Sequence, residues 1–192
     1  VQIGLSSDQA HFERETAIPV VNHAAIGLAA DMITEAARPL LYIGGGVKIA
    51  GAVDQVRSFS DKTGIPSVST LNGLGTIATD APGFLGMLGM HGTRAANEAV
   101  QDADLLIVFG ARFDDRATGK LAEFAPHARI VHFDVDAAEI GKLRAVHVPV
   151  VGDMKAAIAA LTLRMTGQGP AIDPWVIRCA ASARRHAFRY DA

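Results

Sequence analysis

Short continuous apolar runs alternate with helix-spaced apolar positions along most of this chain. Asn22 can cap a helix running to about Ala37, with Ile26, Ala29, Ala30, Ile33 and Ala37 on one face. Pro39 then introduces Leu40-Leu41-Tyr42-Ile43, the kind of run found in a strand buried on both faces. A helical pattern over Ala50–Lys62 places Val53, Val56 and Phe59 on one side and stops at Gly64. Pro66–Thr70 predicts a second strand and Asp104–Phe109 a third, and between them Thr93 can cap a helix to about Val100. Residues 76–92 show little periodicity and are expected to form a long loop. A short helix near Gly119–Phe124 precedes a fourth strand at Arg129–Phe133, which ends at Asp134. Another short helix is expected near Ala137–Leu143, then a fifth strand at His147–Val151 and a helix capped by Asp153 that reaches about Met165.

The tail passes through Gly167-Gln168-Gly169-Pro170 to Asp173-Pro174, a cap followed by proline at the first helical position. The helix it starts runs to about Phe188, carries Arg178, Arg184, Arg185 and Arg189, and is expected to be solvated or docked beyond the repeating unit. Strand–helix alternation with apolar strands means a parallel sheet covered on both sides. The expected fold is α/β, a doubly wound, Rossmann-like parallel sheet of about five to six strands with helices on both faces. Residues 1–21 read as a linker from a preceding domain, 22–166 as the Rossmann-like domain, and 167–192 as a connector and helix toward a following one. The start at Val1 and the end at Tyr190-Asp191-Ala192 suggest a segment of a longer polypeptide.

Composition narrows the choices. With 49% of 192 residues hydrophobic, the chain suits one globular domain with a substantial core. Eighteen basic residues against 20 acidic ones leave a formal charge of −2, which argues against a surface that tracks nucleic-acid phosphates. A lone Cys179 excludes an internal disulfide and a cysteine-cluster metal site. No run of 18 apolar residues predicts a membrane span, and the first residues lack the zones of a signal peptide, so a cytoplasmic protein is expected.

The chemistry concentrates behind the strands. Phe109-Gly110-Ala111-Arg112-Phe113-Asp114-Asp115-Arg116 follows an apolar run and crowds four charges into one loop. Two arginines there can hold phosphate or carboxylate oxygens, and two aspartates can orient them or meet ligand hydroxyls; a surface salt-bridge cluster is the bland alternative. Gly44-Gly45-Gly46 occupies the first strand-to-helix turn, where a pyrophosphate can meet backbone N–H groups, but Ile49 stands at the third position of the usual G-x-G-x-x-G/A spacing. A tight turn explains these glycines equally well. Asp134 is placed to accept from a ribose or another nucleotide group, while Asp153 can be either a ligand contact or a helix cap. The glycines around His91 let backbone approach a flat ligand, and Met90 can pack on an aromatic ring or fill a core. No metal-ligand spacing and no G-x-S-x-G elbow occurs. Ligand-suited loops behind five strands would converge on one sheet edge, where one elongated ligand such as a dinucleotide could touch them all; FAD, NAD and ADP are not distinguished at this level.

On these residues the chain resembles the central domain of the acetolactate synthase (acetohydroxyacid synthase) large-subunit family. The carriers are Leu40–Gly46, Thr70–Gly75, Leu85–Thr93, Gly110–Lys120, His132–Asp136 and Gly152-Asp153-Met154, over roughly residues 38–162. The resemblance implies a middle domain that binds FAD, largely as a structural cofactor, through Gly45, Gly46, Thr70, Leu71, Leu88, Gly89, Met90, His91, Gly110, Ala111, Arg112, Phe113, Asp114, Arg116, Asp134, Val135, Asp153 and Met154. It implies no catalytic residue and no metal ligand in this segment. Thiamine diphosphate and Mg2+ would belong to flanking domains of the full-length enzyme, which joins pyruvate to pyruvate or 2-oxobutanoate in branched-chain amino-acid synthesis. The 2-oxoacid substrates, a homo-oligomeric state and a regulatory subunit likewise concern the full-length form, and the segment alone is expected to be inactive. Alternatives are the middle domain of a glyoxylate carboligase or pyruvate oxidase, or a stand-alone nucleotide-binding module.

Overall fold

The computed structural model describes residues 19–165 and 170–187. The linker expected over 1–21 falls outside it except for Pro19, Val20 and Val21, as do Gly167-Gln168-Gly169 and the end from Phe188 onward.

Asn22 caps α1 (His23–Glu35), its Oδ1 accepting from the N–H groups of Ala24 and Ala25. The helix stops before Ala37 because the Asp104 carboxylate accepts from Ala37 N at 3.0 Å and Arg38 N at 2.9 Å. Pro39 also disfavours a helical Arg38. Ala37, expected on the buried face, is therefore outside the helix and exposed. β1 (Pro39–Ile43) follows, buried at every residue. The helix expected from Ala50 is split in two. A single turn, α2 (Gly46–Ile49), is separated by Gly51 in the left-handed region from α3 (Val53–Thr63), which ends on left-handed Gly64.

After β2 (Ser67–Ser69) and a 3-10 turn at Leu71–Gly73 comes β3 (Phe84–Met87), inside the stretch expected to be loop. It is a short edge strand with only Leu85 buried, so it shows no continuous apolar run. Its pairing with β2 shifts register between Ser67 and Ser69. Thr93 caps α4 (Arg94–Asp102), and β4 (Leu105–Phe109) is again fully buried. The helical turn α5 (Asp115–Thr118), capped by Asp114, precedes a 3-10 turn at Leu121–Glu123 where a helix was expected. β5 (Arg129–Asp134) leads to turns, not the expected helix, over 137–143. There Asp136 accepts from Ala138 N through its side chain and from Glu139 N through its carbonyl, and Gly141 turns left-handed. β6 (Val148–Val151), α6 (Met154–Arg164) and α7 (Asp173–Arg185) are the last elements among the described residues. Asp173 opens α7 as a helical residue instead of capping it; Ile172 holds the cap position.

All five strand pairings are parallel, in the order β3-β2-β1-β4-β5-β6. The chain winds from β1 through β2 to β3 at one edge, then crosses back past β1 to β4, β5 and β6. Right-handed crossovers in these opposite directions lie on opposite faces, giving the doubly wound Rossmann-like sheet. α6 packs against both α1 and α3, whereas α4 pairs with α7. Side chains alternate between the faces. Phe59 meets Phe109, which meets Phe133 at 5.0 Å between centroids, while the register row Tyr42, Val108, His132 points the other way. α7 is docked, not solvated: Trp175 and Cys179 are buried, and Trp175 Nε1 donates to the Pro39 carbonyl at 2.9 Å.

Candidate functional site at the carboxyl edge of the sheet

Because every strand runs the same way, the residues that leave them share one edge, and backbone bonds tie them together. Gly44 N donates to Phe109 O at 2.8 Å, Thr70 N to Ile43 O at 2.9 Å and Leu88 N to Ser69 O at 3.0 Å. Gly110 N reaches Phe133 O at 2.9 Å, and Gly152 N reaches Asp134 O at 3.1 Å. The six strand ends thus form a continuous rim, the place where open α/β sheets bind ligands.

The glycines of the first turn serve packing first. Gly44 and Gly46 spend their N–H groups on Phe109 and Gly110 carbonyls. A Cβ on Gly44 would meet Ala111 Cα at 2.6 Å, so the turns after β1 and β4 interlock. The Met90–His91 loop is held as firmly. Asn97 clamps Gly89 from both sides, accepting from its N–H at 2.8 Å and donating to its carbonyl at 3.0 Å, and Met90 N donates to Arg116 O at 3.1 Å. The loops behind β3 and β4 are therefore one unit.

Along this rim the side chains of Leu71, Met90, His91, Arg112, Asp114, Arg116 and Val135 are exposed, and Thr70, Asp134 and Asp153 are half-buried. No ion pair joins Arg112, Asp114, Asp115 and Arg116, so the charged loop is not a surface salt-bridge cluster. Asp114 accepts from Ala117 N at 3.2 Å and Asp153 from Ala156 N at 2.8 Å, each through one carboxylate oxygen as a cap. Leu88, Ala111, Phe113 and Met154 turn their side chains into the core and, at no more than 4% exposed, present almost no surface at the rim.

Below the charged loop lies a polar layer that the sequence did not announce. Among the described residues, the Tyr42 hydroxyl and both ring nitrogens of His132 are buried without a well-formed hydrogen bond. Phe113 sits between these rings, 5.4 Å from Tyr42 and 5.6 Å from His132, with φ at +56°. Burial, then the Asp114 carboxylate, pushes the Tyr42 phenol above its ordinary range. Burial also lowers the His132 pKa; Asp134, the Ala111 backbone and Glu139 oppose it more weakly. At neutral pH the imidazole is therefore uncharged.

Residues 26–161 match the family model for the thiamine pyrophosphate enzyme, central domain. The chain belongs to this family. This central domain is 48% identical over 179 residues to the acetolactate synthase isozyme 2 large subunit of Escherichia coli, covering 93% of the chain and 31% of that protein. It is 53% identical over 136 residues to an acetolactate synthase of Mycobacterium leprae, covering 71% of the chain and 22% of the relative. With the acetolactate synthase large subunit of Corynebacterium glutamicum it shares 48% over 166 residues, 85% and 26% of the two chains. The chain thus spans about a third or less of the length of these curated relatives.

Two features of the central domain escaped the sequence reading. Asn97 looks like any polar residue on a helix face until Gly89 is seen against it. His132 interrupts the apolar run Ile130–Phe133, and that interruption was the available signal. A hollow of about 260 Å³ lies between α4 and α7 against Glu98, Trp175 and Arg178, away from the rim. Among the described residues no helix is long and apolar enough to cross a membrane, and no group of three His, Cys, Asp or Glu side chains could hold a metal ion.

Proposed function

We propose that this chain is the FAD-binding central domain of an acetolactate synthase large subunit. The full-length enzyme would condense pyruvate with pyruvate or 2-oxobutanoate on thiamine diphosphate, releasing CO2. The observation that carries this reading is the union of one continuous rim, built from all six strand ends, with strong similarity to acetolactate synthase large subunits. The thiamine diphosphate and its Mg2+ would sit in flanking domains, as would the 2-oxoacids. Homo-oligomerisation and a regulatory subunit belong to the same full-length form, as does a cytoplasmic location.

The rim suits FAD in its donor set. Arg112 and Arg116 are exposed cations with no ion-pair partner among the described residues, fit for diphosphate oxygens. Asp134 keeps one carboxylate oxygen for nucleotide hydroxyls, because only Oδ1 accepts from Asp136 N. Exposed Leu71, Met90 and Val135 offer apolar surface to flat rings, while Gly45, Gly46, Gly89 and Gly110 let the loops that carry the rim pack closely on one another. FAD here would hold the architecture, since joining two 2-oxoacids with loss of CO2 needs no net redox change.

FAD titration into the purified chain, followed by flavin fluorescence and calorimetry, tests the site. Saturable binding that weakens about tenfold or more in Arg112→Ala and Asp134→Ala would support it. Absence of saturable binding would overturn its assignment to these residues alone. For the whole protein, acetolactate formed from pyruvate separates this reading from a glyoxylate carboligase.

A further inference from the structure

His132 stands on β5 with a fully buried side chain, in the register row of Tyr42 and Val108. Among the described residues neither nitrogen makes a well-formed hydrogen bond, and the Ala111 backbone only weakly opposes the lowering of its pKa. A buried imidazole left this way costs stability that an apolar ring of similar shape would not. Core packing alone therefore does not explain a histidine here, and such breaches of local rules gather at functional sites.

The nearest carboxylate is that of Asp134, two residues on. His132 Nε2 lies 3.9 Å from Asp134 Oδ2, while Asp134 Oδ1 is occupied by Asp136 N at 3.0 Å. The imidazole thus stands behind the carboxylate oxygen that remains free, and a shift of about 1 Å would close a hydrogen bond. Phe113 packs against the imidazole in a T-shaped contact with 5.6 Å between ring centroids.

We propose that His132 is a positioning residue: its Nε2–H steadies the Oδ2 oxygen of Asp134, orienting the carboxylate toward the hydroxyls of a bound nucleotide. This rests on the FAD reading of the rim and deepens it. His132 itself touches no ligand. Its contribution is paid in fold stability, because the bond tightens only when the carboxylate is engaged.

The test compares the unaltered chain with His132→Phe, His132→Gln, Asp134→Ala and the double variant His132→Phe/Asp134→Ala, each titrated with FAD and melted without it. His132→Phe keeps the ring packing and removes the donor. Its FAD affinity is expected to fall about tenfold, while its melting temperature stays level or rises. His132→Gln, which restores an N–H donor, should recover most of the affinity. In the Asp134→Ala background, His132→Phe should change nothing, because the effect runs through that carboxylate. Unchanged affinity in His132→Phe would overturn the proposal while leaving the FAD reading in place. An equal loss with and without Asp134 would do the same, since His132 would then act elsewhere. No FAD binding by the unaltered chain would overturn this proposal together with the assignment of the FAD site to these residues alone.

Discussion

Gly46 donates its N–H to the Gly110 carbonyl at 3.0 Å, and the two residues approach so closely that a Cβ on Gly110 would lie 2.7 Å from Gly46 Cα. Gly110 also adopts φ +57°, where a side chain is strained. Gly110→Ala should therefore cost about 2–5 kcal/mol, a large share of an ordinary domain's stability. Gly27, within α1, has open space where a Cβ would stand. Gly27→Ala should stabilise by about 0.5–1 kcal/mol. Urea denaturation of both variants checks the contrast, and equal effects would refute the packing argument.

Asp104 ties the end of α1 to the start of β4 by accepting from Ala37 N and Arg38 N. Asp104→Ala leaves both donors without a protein partner and should cost about 1–3 kcal/mol. Asp104→Asn keeps one acceptor oxygen and should lose less. Denaturant midpoints of the two variants would show the order, and a reversed order would sink the explanation.

Burial pushes the Cys179 thiol up to about 12, with Arg178 opposing and Asp102 reinforcing the shift. The thiolate is the reactive species, so a disulfide reagent at pH 8 should modify the folded chain very slowly. In urea above the unfolding transition, modification should become fast. Rapid labelling of the native chain would mean that α7 does not stay docked.

His132 gives stability a defined pH dependence. Its pKa is lowered in the folded state, so the unfolded chain binds the proton more readily. Its contribution is full above the unfolded value of about 6.5 and declines as pH falls from there toward the lower folded value. Denaturation of the unaltered chain and of His132→Phe at pH 7.5 and 5.5 isolates this part, and the gap between them should widen in acid in favour of the phenylalanine variant.

The alternation of apolar runs and helical periods was enough to read a parallel α/β sheet, because buried parallel strands leave no polar face. β1 and β4 are buried at every position and were legible for that reason. Strand β3 was not, since an edge strand with one inward residue has no run to see. The helix expected near Ala137–Leu143 failed to Asp136, whose local bonds compete with helical ones. At the site, the sequence marked the rim residues by chemistry and by position after strands.

What the sequence determined by itself is the fold class, the family resemblance and the edge on which the candidate ligand residues lie. All three follow from local patterns that burial imposes on short segments. Only the tertiary structure decided how that edge is built: Gly46 against Gly110, Asn97 around Gly89, and His132 behind Asp134. The first brings residues far apart in the chain into backbone contact, and the second folds a helix residue back onto a glycine eight positions earlier, a clamp that no local pattern encodes. The third joins near neighbours in the chain, yet its meaning depends on packing against Phe113 and on the want of a well-formed hydrogen bond elsewhere among the described residues.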